Sequence, residues 1–325
     1  MLGATCFTCE YTTAPKMLNR RLTANASKVR SAVMSRTRTG IPIHRGRSEI
    51  VPGMLLGYTI TQGSQSVRGA PVRYNQSMSH AASAITRSPA EVVRSTPVSQ
   101  AANGICYARA GEVTISDSDL DRMIAAVPVA AAAALVRKAY YFVPLTVSQG
   151  DETVIADRYD VALSDNAVCH RNLNLGDAQC VFISTRLMDD KFSVAFEFYI
   201  NVGHALVERA GVSQPFAEMV WQQVESGVRG ETSLDAWEAR KLATAAGPEA
   251  EKFKNEYLTA TFADAISIYL LALCLDVDYY DLRERDYPLL APTPMAERLR
   301  KVAEIFPPNP GFEFNIYYKR RGSGA

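Results

Sequence analysis

The sequence predicts an α+β fold: one helix, a few strands and then a run of helices, preceded by a long extended arm. Three observations carry this. A Ser/Asp-rich start suited to helix capping opens a long helix-forming run at Ser116, "SDSDLDRMIAAVPVAAAAALVRKAY". Between Tyr140 and Thr185, apolar runs rich in aromatic and β-branched residues are separated by Gly, Asp and Asn turn signals. After Asp190 the apolar residues recur at mainly helical spacing.

Taken in order, Ser116–Tyr140 reads as one long helix, and "YYFVPLTV", "ETVIADRYDVAL" and "QCVFIST" read as strands. Helices are expected at Phe192–Arg209, Gln214–Ser226, Ser233–Ala245, about Glu249–Leu275 and Pro294–Ile305. No internal repeat interrupts this layout.

The 325 residues, 47% of them hydrophobic and 21% charged, suffice for one large core or two smaller ones. The longest apolar run, Met123–Val136, is too short and too Ala-rich for a bilayer span, so no membrane span is expected. Six scattered cysteines without a secretory signal predict an intracellular setting, cytoplasmic or virion-associated. Cys6 and Cys9 form a CxxC with no second ligand pair, which argues against structural zinc.

The net charge of +1 conceals an asymmetry. Up to Ala90 the acids are Glu10 and Glu49, against a basic set that includes Arg20, Arg21, Lys28, Arg30, Arg36, Arg38, Arg45 and Arg47. Residues 1–110, rich in Ser, Thr, Gly, Arg and Pro, therefore read as a basic, largely extended arm. Three explanations compete: a solvated tail, an Arg-rich mitochondrial targeting peptide, or an arm that neutralises phosphates or lies across a protein partner. The folded domain is expected over 111–310, with a basic C-terminal tail over 311–325.

The sharpest chemical signal is "INVGHAL", Ile200–Leu206. In an HExxH helix two His four residues apart grip zinc, and the Glu beside the first takes a proton from the metal-bound water. Here Ile200 holds the first ligand position, Asn201 the base position, and His204 remains alone. Four further stretches occur in order around it: "DNAV" from Asp165, "VFISTRLMDD" from Val181, "ATFADAISIYLLA" from Ala260 and "PTPMAERLRKV" from Pro292. Together they resemble successive landmarks of the HtpX-like, Oma-like and CAAX-prenyl-protease-like zinc peptidases.

The resemblance covers about residues 110–305 and implies a zincin-like fold, a small sheet plus a helical bundle. It implies that Ala260 stands where the third zinc ligand, a Glu, is expected, and that Asp264 matches a carboxylate supporting the ligands. The losses fall on the working residues. Ile200 and Ala260 offer no lone pair, and the Asn201 amide does not titrate near neutral pH. The expectation is an inactive site without a cofactor, closed by apolar packing, with His204 hydrogen-bonded to Asp264. An alternative is a reworked zinc site of Glu197, His204, Glu208 and Asp264, the first three sharing one helix face.

Three other signals read as structural. His170 is expected in a surface turn, "LDVDYYDLRERDY" from Leu275 as a solvated helix end, and "FEFNIYYKRRGSGA" from Phe312 as an edge strand with a flexible tail. The leading functional expectation is a metallopeptidase-like pseudoenzyme. It would act as a structural or binding module, its arm attaching to a protein assembly such as a viral particle or to nucleic acid. An active zinc metallopeptidase is the alternative, and an oligomer is compatible with either.

Overall fold

The computed structural model describes residues 83–149, 152–188, 190–245, 247–275 and 287–315. The arm residues from Arg20 to Arg47, the Cys6–Cys9 pair, 276–286 and 316–325 lie outside the described residues.

The fold is α+β, with two small sheets and a helical layer. The larger sheet has the order β2(Ser99–Gln100), β3(Cys106–Arg109), β4(Lys138–Val143), β9(Ala178–Ser184), β8(His170–Leu175). Strands β3, β4 and β9 run parallel, and the two outer strands are antiparallel to their neighbours. "KAYYFV" and "AQCVFIS" are almost uninterrupted apolar runs because both faces of the central strands are covered. Tyr140, Phe142, Val181 and Ile183 face the helices. Their neighbours Tyr141, Val143, Cys180 and Phe182 face Val92 and Ile155 on the other side.

The folded body begins before Gly111. Residues 83–110, expected in the arm, supply β1(Thr86–Arg87), helix α1(Pro89–Ser95), β2 and β3. The "SPAE" stretch is a capping box. Ser88 Oγ accepts from the Glu91 amide at 3.3 Å, and the Glu91 carboxylate accepts from the Ser88 amide at 2.8 Å. Pro89 occupies the first turn, where its missing N–H leaves nothing unsatisfied.

Two prolines divide elements that composition alone runs together. Pro144 separates β4 from β5(Leu145–Gln149), so "YYFVPLTV" feeds two sheets. Strand β5 lies between β6(Glu152–Ala156) and β7(Ala167–Val168), and β1 pairs with the outer side of β6. The expected strand from Glu152 to Leu163 therefore stops at Ala156. It gives way to a single helical turn, α4(Val161–Ser164), capped by Asp160.

Pro128 likewise breaks the expected long helix into α2(Asp117–Ala125) and α3(Val129–Ala132), followed by a 3-10 turn over Ala133–Leu135. The carbonyls freed at this corner are taken by two asparagine amides. Asn103 donates to Ile124 and Val127 at 2.8 Å, and Asn309 donates to Ala125 at 2.9 Å and Val127 at 2.8 Å. Asn309 Oδ1 also accepts from the Val129 amide at 3.0 Å, tying the C-terminal segment to the corner.

The helices after Asp190 lie where their spacing puts them: α5(Lys191–Ala210), α6(Gln214–Glu225), α7(Leu234–Ala243), α8(Ala250–Cys274) and α9(Pro292–Ile305). Among the described residues, α8 is the one helix long and apolar enough to cross a membrane. Of that apolar window 78% is buried in the fold, as expected of a central core helix. Phe312 and Phe314 pack on the same core, with Phe314 edge-on to Tyr269 at 5.0 Å, and 311–315 form no strand.

Candidate functional site

Helix α5 carries Glu197, Ile200, Asn201, His204 and Glu208, α8 carries Ala260 and Asp264, and the two helices cross at Gly203. A Cβ at Gly203 would lie 2.7 Å from both the Ala263 carbonyl oxygen and Ser267 Oγ. Ser267 Oγ sits between the helices, donating to either the Tyr199 carbonyl at 3.1 Å or the Ala263 carbonyl at 2.7 Å. The Gly next to His204 is therefore a packing residue of the helix pair. Tyr199, one turn earlier, is buried and donates to the Met123 carbonyl at 3.0 Å.

His204 lies one residue beyond this crossing and is exposed. Together with Ala260 it lines an open hollow of about 520 Å³, whose other lining residues are Lys252, Asn255, Glu256 and Thr259 of α8. Ile200 and Ala260 are half-buried. The expected closing of this place by apolar packing is thus not what the structure contains: the small Ala260 side chain leaves room, and solvent reaches His204. Asn201 is buried and donates back to the Glu197 carbonyl at 2.9 Å, so its amide is spent on its own helix.

The expected hydrogen bond from His204 to Asp264 is not formed. Asp264 Oδ2 accepts instead from Thr232 Oγ1 and Ser233 Oγ, each at 2.6 Å. Ser233 is also the cap of α7, accepting from the Ala236 amide at 3.2 Å. Asp264 thus fastens the loop before α7 to the central helix. Burial pushes its carboxyl pKa up; the two hydroxyl hydrogen bonds and the nearby His204 charge pull it back, and the net direction is upward.

The reworked ligand set does not come together either. Glu197 is buried and pairs through Oε1 with His170 Nδ1, while His204 and Glu208, further along α5, are exposed. Among the described residues, no three His, Cys, Asp or Glu side chains converge to hold a metal. His170, expected in a turn, is the first residue of β8, and its contact with Glu197 joins the edge strand to α5. Its neighbour Cys169 is no activated nucleophile: burial first, and the Glu197 charge second, push its thiol up to about 11.

Sequence reasoning missed the largest polar constellation among the described residues. Arg298 of α9 and Glu231 are both wholly buried. Arg298 donates to Glu231 Oε2 at 2.8 Å, to Gln223 Oε1 at 2.9 Å and to the Tyr257 hydroxyl at 3.3 Å. Glu231 Oε1 accepts from Tyr257 at 2.7 Å and from Arg240 Nη1 at 2.8 Å. Arg240 also donates to the Gly230 and Val228 carbonyls. A signal existed: Arg298 falls on the apolar stripe of Met295, Leu299 and Val302, where a charge requires buried partners.

The loop carrying Glu231 is held from its other side as well. Its backbone bridges to the segment before α9, with the Glu231 amide donating to Pro288 at 2.9 Å and the Leu290 amide donating to Glu231 at 3.0 Å. Gly230 has φ +91°, and a Cβ there would lie 2.4 Å from the Leu289 carbonyl oxygen. Only glycine fits that approach.

Set against family models, curated proteins and solved structures, the chain matches none. Chemically, then, the hollow offers one imidazole, one ammonium, one carboxylate, an amide and a hydroxyl around an alanine floor. That set can dock polar or small apolar groups, but it lacks the three converging ligands a hydrolytic zinc needs.

Proposed function

We propose that the chain is a catalytically inactive, metallopeptidase-like scaffold that serves as a structural or binding module. Its basic N-terminal segment attaches it to a larger assembly, such as a viral particle, or to nucleic acid, in the cytoplasm or within the particle. One observation supports the reading of lost activity: two of the four side chains that could replace the missing ligands, Glu197 and Asp264, are engaged elsewhere. Glu197 is held by His170, and Asp264 by Thr232 and Ser233. An active zinc peptidase built on Glu197, His204, Glu208 and Asp264 would have to break both sets of contacts.

The attachment reading rests on the basic residues before Ala84, and its test is a truncation. The cut belongs after residue 82, because the Ala84 amide donates to Asp160 at 3.1 Å and Ile85 to Asp157 at 2.9 Å. The shortened chain is expected to keep its fold, checked by circular dichroism, and to lose salt-sensitive binding to single-stranded RNA or to its assembly. Undiminished binding by the shortened chain would overturn this part of the reading.

A further inference from the structure

We draw no further inference here: the strongest candidate, the outer edge of strand β8, which among the described residues pairs only with β9, carries nothing because nothing in the structure shows what covers it.

Discussion

Arg298 donates from Nη1 to Glu231 Oε2 at 2.8 Å, and neither side chain has any contact with solvent. The pair is completed by Arg240, Tyr257 and Gln223, so α6, α7, α8 and α9 all converge on one carboxylate and its loop. Charges taken so far from water are tolerated only because every polar atom around them has a partner. The arrangement fixes the loop whose next two residues, Thr232 and Ser233, hold Asp264.

Replacing Arg298 is therefore expected to be among the most damaging single changes in the helical layer. Arg298→Met leaves Glu231 half-compensated by Arg240 and should cost about 3–5 kcal/mol in urea unfolding. Arg298→Lys should recover little, since one ammonium cannot reproduce the fan of bonds to Gln223, Glu231 and Tyr257. A loss under about 1 kcal/mol for the Met variant would contradict the role given to this pair.

Gly203→Ala tests the helix crossing. In an isolated helix the change would stabilise by about 1 kcal/mol. Here the added methyl meets the Ala263 carbonyl, which is backbone and cannot turn aside. A net loss of about 1–3 kcal/mol is expected from overpacking. A raised melting temperature would show that α5 and α8 do not approach as closely as described.

Asp264→Asn tests the electrostatics of the same helix pair. The folded carboxyl has a pKa above its unfolded value of about 4, so the folded state holds this proton more tightly. Its stabilising contribution is fully present below about pH 4 and is lost as pH rises through the higher folded value. The Asn variant still accepts from Thr232 and Ser233 but cannot ionise. Its stability relative to the parent chain should therefore increase as pH rises from about 4 towards neutrality. Parallel stability curves over that range would refute the assignment.

The helical half of the fold was legible because its signals are local. The five helices after Asp190 are bounded within about two residues by apolar spacing, and two of them by the capping side chains of Asp190 and Ser233 at their starts. The sheets were harder to read. Strand β8, "HRNLNL", has only Leu173 and Leu175 to mark it, and β2 and β7 have two residues each. Pro128 and Pro144 were visible, but the apolar runs across them suggested continuity. The corner at Pro128 is held by Asn103 and Asn309, which approach from distant parts of the chain.

The candidate site divides in the same way. That Ile200, Asn201 and Ala260 cannot serve a hydrolytic zinc follows from their chemistry alone. What Asp264 and Glu197 do instead depends on partners 27 to 32 residues away along the chain, and no local pattern encodes those pairings. The capping box at Ser88 was readable and would have moved the start of the folded body back towards residue 83. The acid-poor composition around it drew that segment into the arm.

The most direct measurement is the zinc content of the purified 325-residue chain, by plasma mass spectrometry, beside that of His204→Ala. The inactive-scaffold reading expects far less than one zinc per chain, no difference between the two proteins, and a melting temperature unmoved by a chelator. About one zinc per chain, lost on replacing His204, would contradict it.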